Sequence, residues 1–516
     1  MLKRLTNAEA VHEGEHSIRR LLDAHHEWLY AQRGTSAANP LRRNECDVRV
    51  SQGRLIFSCW DEKGTLLWRV TAWEWTGEKL LLEVTRRMGA ERAHLELIPR
   101  ASIKAAQAAI SMERRARCQR LAELACALLH GAKVERAGLS AGARPGQPGP
   151  YARILLRHQN RERIAVAGRV AEAFEHETDA LLSSTLLWFT RASERARPPY
   201  IQRLWLISEK DCVKPLAERL ALLSDDLRRV IELYEIDEGW RELTRVQLPS
   251  LDDLLLEKTE PRVRPPRLSA LSESAAGIVA LAPEAIDVVR SRHGETLRFH
   301  GLAFARVRRV MGRENVWFGT GRAHRRLLDE STEGELIKLL QDLKEHRRAE
   351  SRDQHHMLYR SAPEAWLESL LRRDITRLDP GLRLAPLYTQ FRPTHAAASR
   401  PIDLLALRRD GRLVVIELKV SEDREHVLQG ADYWRRVEAY RRSGQLKRAR
   451  IFGNAAVSDE PPLVYLVAPG LRFHRAFQTL ARAITPAIEL YRFDLNEDWR
   501  AGVRVMRRET LTNSLQ

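Results

Sequence analysis

Residues 400–420, RPIDLLALRRDGRLVVIELKV, contain the pattern that decides the fold. Two apolar runs flank an Asp-Gly pair, which favours a tight turn between antiparallel strands, so the stretch predicts a β-hairpin. Glu417 and Lys419 lie in the second strand among large apolar residues. Because strand side chains alternate between faces, these two share one face, and Asp403, near the start of the first strand, can converge with them. The hairpin therefore predicts two acids and a lysine at one place.

Two carboxylates placed in this way are hard oxygen ligands of the kind that Mg²⁺ or Mn²⁺ takes, together with waters and phosphate oxygens. Such a metal would polarise a scissile phosphate and help to form a hydroxide nucleophile, and Lys419 would orient the water or stabilise charge on the phosphate. The alternative is a structural ion pair, since Glu-x-Lys on a strand often forms a surface pair. The apolar strand and its flanking helices favour the site, because an unpaired acid is costly in a strand buried on both faces.

The spacing of Pro401-x-Asp403 and, about a dozen residues later, Glu417-x-Lys419 resembles the PD-(D/E)xK nuclease superfamily, which has the restriction-endonuclease-like fold. The elements over residues 361–508 fit that family's α-β-β-β-α-β-α-β core, and the whole block resembles domains of bacterial proteins of this superfamily. The resemblance implies an α/β (mixed α+β) domain that hydrolyses DNA phosphodiester bonds with Mg²⁺ or Mn²⁺. It also implies that Asp403 and Glu417 bind the metal and that Lys419 is catalytic.

Two helices beside the hairpin supply further candidate residues. In the family an acid-bearing helix precedes the hairpin, and residues 363–375, PEAWLESLLRRDI, place Glu364 and Glu368 one turn apart on one face. Either is a candidate helix acid, and Glu364 is preferred as the third metal ligand because it opens the helix. Some branches of the family carry Gln-x-x-x-Tyr on the helix after the third strand, which Gln429 and Tyr433 match. The resemblance implies that these two position the DNA backbone or the lysine, whereas alone they read equally well as helix-surface residues.

The composition of the sequence indicates the kind of binding partner and the cellular compartment. The 86 Lys and Arg residues against 69 Asp and Glu give a formal net charge of +17, which favours a polyanion such as DNA, with solvated basic faces as the alternative. The five cysteines form no C-x-x-C pair, the N-terminus has no apolar signal region, and no apolar run approaches the roughly 20 residues of a membrane span. We therefore expect a reduced, cytoplasmic protein with no membrane role. The histidines lack metal-ligand spacing, so we assign them no catalytic role.

An internal repeat shapes the N-terminal half. Residues 204–246 resemble residues 464–505 in the order of their elements, and both contain the tetrapeptide IELY. Upstream, residues 153–170 align without a gap with residues 403–420. This alignment places Arg153, Ala167 and Arg169 where Asp403, Glu417 and Lys419 stand. The alignment therefore predicts that the N-terminal half contains a degenerate second copy of the nuclease-like domain, which has kept the fold and lost the acids.

Composition shifts and turn signals divide the chain into four regions. They are residues 1–112, with an N-terminal helix (14–35) and a small antiparallel β domain; 113–256, the degenerate nuclease-like domain; 257–360, a linker and α/β connecting region; and 361–516, the nuclease domain. The tryptophans of the β domain are either core residues or, with Arg86 and Arg87, a surface that binds nucleic acid by stacking and phosphate contact, and core is favoured; they are Trp60, Trp68, Trp73 and Trp75. In the connecting region, proline-rich residues 257–274 predict the linker and residues 283–293, PEAIDVVRSRH, predict a helix.

These patterns predict a metal-dependent DNA endonuclease or exonuclease, in repair or defence, whose degenerate copy and β domain hold the substrate. One alternative is a non-catalytic DNA-binding or scaffold protein built on two nuclease-like folds. Another is an RNA-directed hydrolase, which fits the motif equally well. A chain with one intact and one degenerate copy could form an internal pseudo-dimer that nicks one DNA strand. The alternative assembly is a homo-oligomer of several chains.

Overall fold

The computed structural model describes residues 2–32, 38–61, 64–86, 91–99, 103–142, 148–158, 162–171, 178–198, 200–256, 270–291, 294–310, 313–321, 325–384, 388–391 and 402–511. The chain has the mixed α+β class that its sequence predicts. It forms two compact units, of which one comprises Met1–Ala217 with Arg229–Leu248 and the other Glu218–Arg228 with Pro249–Gln516. Most of the predicted linker, residues 257–269, lies outside the described residues. No helix in the described ranges is long and apolar enough to cross a membrane.

The first unit begins with an antiparallel sheet in the order β3-β2-β8-β7-β6-β5-β4, with β1 paired to β6. Its elements are β1 (Lys3–Arg4), α1 (Ala8–Asp23), β2 (Glu27–Gln32), β3 (Ala38–Arg42), β4 (Cys46–Ser51), β5 (Arg54–Asp61), β6 (Gly64–Trp75), β7 (Leu80–Arg86) and β8 (Glu91–Pro99). Trp68 and Trp73 are buried core residues, so they are not a stacking surface. The helix predicted over 14–35 ends at Asp23, and Glu27–Gln32 form a strand instead, from which Trp28 and Tyr30 pack into the sheet core; residues 33–35 lie outside the described residues.

The first unit continues with a second sheet in the order β14-β13-β12-β11-β10-β9. The elements of this part of the chain are α2 (Ile103–Leu128), β9 (Lys133–Ala141), β10 (Pro148–Arg157), β11 (Arg163–Arg169), α3 (Thr178–Arg195), β12 (Ile201–Glu209), α4 (Lys210–Leu220), α5 (Asp225–Val230), β13 (Ile231–Ile236) and β14 (Leu243–Val246). One face of the sheet packs on α2 through Leu121 and Ala125, and the apolar residues of β10 and β11 complete that core.

The second unit contains an antiparallel meander in the order β15-β16-β17-β18-β19. The elements here are α6 (Leu251–Leu256), α7 (Glu273–Ala280), β15 (Ile286–Ser291), β16 (Gly294–Phe299), β17 (Leu302–Val310), β18 (Arg313–Phe318), β19 (Arg326–Leu327) and α8 (Glu333–His346). The helix predicted for residues 283–293 is wrong, since most of this stretch is strand β15. The run Ile286–Val289 is rich in β-branched residues, which favour a pleated surface, and β15 pairs with β16 along its whole length.

The candidate site lies on the last sheet, in the order β20-β21-β22-β23-β24-β25. Its elements are α9 (Met357–Arg360), α10 (Pro363–Arg373), β20 (Tyr388–Phe391), β21 (Ile402–Leu407), β22 (Leu413–Leu418), α11 (His426–Arg442), α12 (Gln445–Arg448), β23 (Leu463–Pro469), α13 (Phe477–Arg482), β24 (Leu490–Leu495) and β25 (Val505–Thr510). The turn between β21 and β22 contains Gly411 at φ +86°, a conformation that glycine tolerates. All residues of β22 are buried, as expected of a central strand between helices.

The sheets β9–β14 and β20–β25 share strand order and direction. In each, two antiparallel pairs lead into two parallel pairs, and the last strand is antiparallel. The register agrees as well: Arg153 lies opposite Ala167 in the first hairpin, and the register of the second places Asp403 opposite Glu417. An offset of 250 residues therefore relates the two hairpins in three dimensions as it does in the sequence.

Candidate active site

The second hairpin brings Asp403, Glu417 and Lys419 together at one end of the sheet. Asp403 Oδ2 accepts a hydrogen bond from the backbone N–H of Leu418 at 2.9 Å, which ties the β21 carboxylate to the neighbouring strand. Lys419 Nζ donates to Glu417 Oε1 at 2.7 Å and lies 3.6 Å from Asp423 Oδ2. The alternation of side chains along β22 causes this, because it turns residues 417 and 419 to the same face.

Burial controls the charges of this group. Glu417 is 2% exposed, and within the described structure its Oε2 has no hydrogen-bond partner. Burial and the nearby Asp403 carboxylate raise the pKa of Glu417 well above its ordinary value, against the opposing effect of Lys419. Burial also raises the pKa of Asp403. For Lys419, burial lowers the pKa, but the charges of Glu417 and Glu364 outweigh it, so the pKa is raised and the lysine stays protonated.

The two helix acids of α10 have different surroundings. Glu364, in the first turn, has a pKa raised by burial and by Asp403 and lowered by Lys419, so it lies in the field of the hairpin residues. Glu368 is 5% exposed and lies 3.5 Å from Arg298 Nη1 on β16. Burial raises the pKa of Glu368 to about 7, with Arg298 opposing the rise and Asp403 adding to it. The charge of Lys419 thus acts on Glu364, whereas Glu368 pairs with an arginine of the meander.

Gln429 and Tyr433 lie on α11, which covers the hairpin face that carries Asp403 and Glu417. Tyr433 is 4% exposed, and burial followed by the charges of Glu417 and Asp403 raises its pKa, so the phenol stays protonated beside the acids. Gln429 Nε2 donates to Glu425 Oε2 at 3.3 Å, while its Oε1 is buried and has no hydrogen-bond partner in the described residues. The structure therefore brings Tyr433 to the acids and leaves Gln429 one helical turn away.

His426 was assigned no role from the sequence, yet it contacts the site. Its Nε2–H donates to the backbone carbonyl of Glu417 at 3.2 Å, and its ring stacks on Phe473 with centroids 5.9 Å apart. Burial and then Lys419 lower the pKa of His426 to about 3, so the ring is neutral near pH 7. A lone histidine gives no spacing signal in the sequence, because its partner is a backbone atom brought close by the turn after β22. His426 fixes the end of the strand that presents Glu417.

Arg347, which follows α8, was also missed by the sequence analysis, and it anchors the start of α10. Its side chain is 0% exposed, and burial lowers its pKa to about 9, which leaves it charged at pH 7. The guanidinium donates to backbone carbonyls on both sides: Phe299 O (3.0 Å), His300 O (2.9 Å), Leu358 O (2.7 Å), Ser361 O (2.6 Å) and Ala362 O (3.3 Å). Ala362 is the N-cap residue of α10 and has φ +44°, a strained conformation that these contacts hold. The meander region thus sets where α10, the helix that carries Glu364, begins.

Two further contacts join the meander to α10. Arg372 Nη1 donates to Asp287 Oδ2 at 2.6 Å. At Gly301, with φ +80°, a Cβ atom would lie 1.9 Å from the carbonyl oxygen of Ala365, so the turn between β16 and β17 packs directly on the helix backbone. Asp287 and Gly301 lie far from α10 in the sequence, so the sequence of residues 361–516 alone does not predict these contacts.

The basic segment 435–450 has many of its charges in ion pairs within its own unit. Asp432, 1% exposed, accepts from Arg219 Nη1 at 2.6 Å and Arg435 Nη2 at 2.8 Å, and it lies 2.6 Å from Arg436 Nη2. Glu438, 0% exposed, accepts from the next two arginines, Arg441 at 2.7 Å and Arg442 at 2.8 Å. These ion pairs with buried acids occupy the arginines of α11 and stabilise the helix.

The donor chemistry of the site fits a hard divalent cation. Among the described residues, no group of three or more His, Cys, Asp or Glu side chains is arranged to hold a metal ion. Mg²⁺, however, takes only one or two protein carboxylates and keeps several waters. Asp403 and Glu417 supply two carboxylates, and within the described ranges the buried Glu417 Oε2 has no hydrogen-bond partner. A cation would remove the cost of ionising both acids side by side. Glu364 is the helix acid whose charge acts on Glu417.

No protein-family model matches the sequence, and no curated protein matches it. Among solved structures, the apo form of EndoMS is similar over 46% of this chain and 97% of that chain, with 12% sequence identity and a TM-score of 0.16. We draw no inference about function from a likeness at this TM-score. The chemistry assigned to the chain therefore rests on its own residues.

Proposed function

We propose that the chain is a metal-dependent nuclease that hydrolyses DNA phosphodiester bonds, with its active site at the start of β21 and the end of β22. One observation carries the proposal: Glu417 is almost fully buried beside Asp403, one of its oxygens has no hydrogen-bond partner among the described residues, and Lys419 Nζ lies 2.7 Å from its other oxygen. A structural ion pair needs one acid and one base, whereas this group holds a surplus of buried acid. Strongly shifted carboxylates of this kind cluster at functional sites.

Each residue has a task in this proposal. Asp403 and Glu417, with Glu364 as a third candidate, would hold Mg²⁺ or Mn²⁺, which when bound supplies polarisation of the scissile phosphate. Lys419 remains protonated and donates hydrogen bonds to a phosphate oxygen or to the attacking water. Tyr433 stays a neutral hydrogen-bond donor next to the acids. His426 positions Glu417 through the strand carbonyl and does not touch the substrate.

A second candidate is a non-catalytic DNA-binding or scaffold role. It is favoured by the first unit, where the sheet with the same order and register carries Arg153, Ala167 and Arg169 in place of the acids and the lysine. That sheet lacks carboxylates at these positions, so metal-dependent hydrolysis has no basis there. The two roles are compatible in one chain if the second unit cuts and the first unit binds.

Cleavage of end-labelled single-stranded, duplex and forked DNA, and of RNA, in Mg²⁺, Mn²⁺ or EDTA tests the proposal. We expect metal-dependent cutting that Asp403→Asn and Glu417→Gln abolish, because each substitution keeps the side-chain shape and removes a charged ligand. Glu422→Gln is the matched control, since Glu422 is exposed in the loop after β22. Cutting that resists EDTA, or that survives in Glu417→Gln, would contradict the site. Binding without cutting on all substrates would favour the scaffold role.

A further inference from the structure

Two of the cysteines lie directly opposite each other on neighbouring strands of the first sheet. The register of β4 and β5 pairs Cys46 with Cys59. Side chains of directly opposed residues point to the same face of a sheet, and here that face is the core, since the two cysteines are only 2% and 4% exposed. They pack there with Val48 and Phe57 of the same two strands. Each is a thiol in the structure, so the hairpin holds two thiols side by side.

The turn of this hairpin determines how closely the two residues approach. Its two residues, between Ser51 and Arg54, both have positive φ (+50° and +68°), as in the tight turns that match the twist of the strands. Such a turn makes Ser51 and Arg54 a hydrogen-bonded pair, and the two kinds of pair alternate from there without a bulge. Cys46 and Cys59 fall on a non-hydrogen-bonded pair, in which Cα atoms are about 4.5 Å apart. Because disulfides join Cα atoms about 4.4 to 6.8 Å apart, this pair can be bridged with little backbone movement.

The surroundings of Cys46 allow it to react, although slowly. Its Sγ donates a long hydrogen bond to the carbonyl oxygen of Arg43, at 3.7 Å, which a rotation of the side chain releases. Since β4 is the last strand in the sheet order, no described strand pairs with its outer edge, and local opening of such a strand admits solvent. Burial raises the pKa of the Cys46 thiol to about 11, which keeps it protonated near pH 7. The pair therefore stays reduced until an oxidant is present.

We propose that Cys46 and Cys59 form a disulfide bond when hydrogen peroxide reaches the hairpin, and that this bond locks the edge strand β4 to β5. One thiolate attacks the peroxide, so that an S–O bond forms, the O–O bond breaks and the leaving hydroxide takes up a proton to become water. The second thiolate attacks the sulfur of this sulfenic acid, an S–S bond forms, the S–O bond breaks and the oxygen leaves as a second water. The two thiols lose two electrons, which the peroxide gains. None of these steps depends on the proposed nuclease activity.

The position of the bond within the hairpin determines its effect. Cys46 is the first residue of β4, at the end of the hairpin far from the turn. With the bond formed, β4 is attached covalently to β5 at one end and through the turn at the other. An edge strand that opens exposes backbone groups that can pair with another chain. Oxidation at this place therefore protects the sheet and does not disrupt it.

The first experiment treats the intact, folded protein with hydrogen peroxide, blocks the remaining thiols with iodoacetamide in denaturant and maps the tryptic peptides by mass spectrometry. We expect Asn44–Arg49, which contains Cys46, to be joined to Leu55–Lys63, which contains Cys59, until a reducing agent separates them. Cys59→Ser removes the joined species, whereas Cys126→Ser, at a partly exposed position on α2, is the control and keeps it.

Two results of this mapping would overturn the proposal. One is that the joined peptides form only when the protein is oxidised in urea. The other is that Cys46 or Cys59 is oxidised to a sulfinic acid and no bond forms. Either result means that the folded hairpin does not bring the two thiols together, and the wild type alone decides this even if Cys59→Ser does not fold.

The second experiment measures thermal unfolding of the peroxide-treated protein before and after reduction with dithiothreitol, which restores the thiols but not an oxidised methionine. We expect the bridged form to unfold about 5 °C higher, because the bond restricts the unfolded chain. Cys59→Ser shows no such difference, and Cys126→Ser shows the wild-type difference. If the joined peptides form but the unfolding temperature does not rise, the bond does not lock β4 and that part of the proposal is wrong.

Discussion

Lys419 Nζ lies 2.7 Å from Glu417 Oε1, two residues earlier on the same strand, and neither side chain is more than 11% exposed. Removing one partner of a buried ion pair is costly because it leaves the other charge without compensation, whereas removing both is often tolerated. The pair therefore links the stability of the sheet to the protonation of the site.

Lys419→Met should lower the free energy of unfolding by about 3 kcal/mol at pH 8 in EDTA, because Glu417 loses its counter-charge. The double variant Glu417→Gln with Lys419→Met should recover most of the loss. Urea unfolding measures both. Lys447→Met is the control, since its ion pair with Asp459 is exposed to solvent and such surface pairs contribute little to stability. Additive losses in the double variant would show that the two side chains do not act as a pair.

Glu368→Gln should stabilise the protein at pH 8 and not at pH 4. The folded state raises the pKa of Glu368 from 4.5 to about 7, so the folded protein keeps a proton in this window that the unfolded chain has released. The contribution of Glu368 to the free energy of unfolding is therefore fully present below pH 4.5 and is lost as the pH rises through 7. The loss amounts to about 3 kcal/mol. Gln mimics the protonated acid, so thermal unfolding of the variant should depend less on pH.

The exposed Glu345→Gln on α8 is the control for this pH series, and its unfolding should follow the wild type. If Glu368→Gln destabilises the protein at pH 8, the ion pair with Arg298 outweighs the cost of burial, and Glu368 is a charged acid at neutral pH.

Gly301→Ala should destabilise the second unit by more than about 2 kcal/mol, because the added Cβ would lie 1.9 Å from the Ala365 carbonyl oxygen and φ is +80°. Gly277→Ala on α7 is the matched control: its Cβ would meet nothing within 4 Å, and alanine favours a helix by up to about 1 kcal/mol. Urea unfolding separates them. Equal stability of the two variants would mean that the turn does not pack on α10.

Arg347→Met should lower stability by about 3 kcal/mol, since several buried carbonyls lose their donor. If Arg347 also positions Glu364, the folded variant binds Mn²⁺ less tightly than Arg348→Met, a control at the exposed neighbouring position. Unchanged Mn²⁺ affinity in folded Arg347→Met would limit Arg347 to a structural role. Calorimetric titration at a temperature where both variants are folded provides the measurement.

The sequence predicts those parts of the site that local geometry determines. Strand alternation puts Glu417 and Lys419 on one face, and the Asp-Gly turn sets the register that brings Asp403 opposite Glu417. Helical spacing likewise places Glu364 and Glu368 one turn apart. These relationships span at most a few tens of residues, and they depend on backbone period rather than on packing.

The contacts that the sequence does not predict are made across long separations or to backbone atoms. Arg298 reaches Glu368, Arg347 reaches the carbonyls before α10, and His426 binds the carbonyl of Glu417. The contacts of Arg347 and His426 have no periodic signal, because a carbonyl is present at every residue, and the pair of Arg298 and Glu368 joins side chains that lie far apart in the sequence. The helix predicted for residues 283–293 failed for a related reason: pairing with β16 outweighs a local pattern that fits a helix as well as a strand.

The contacts of Arg347 also bear on where this chain can be divided. A fragment that began at residue 361 would keep the carbonyls of Ser361 and Ala362 and lose the guanidinium that satisfies them, together with Asp287 and Arg298, the partners of Arg372 and Glu368. The meander and the final sheet belong to one compact unit, and these contacts cross the position where the sequence motif begins. We therefore expect a protein that starts at residue 361 to lose stability, although the sequence motif itself begins only there.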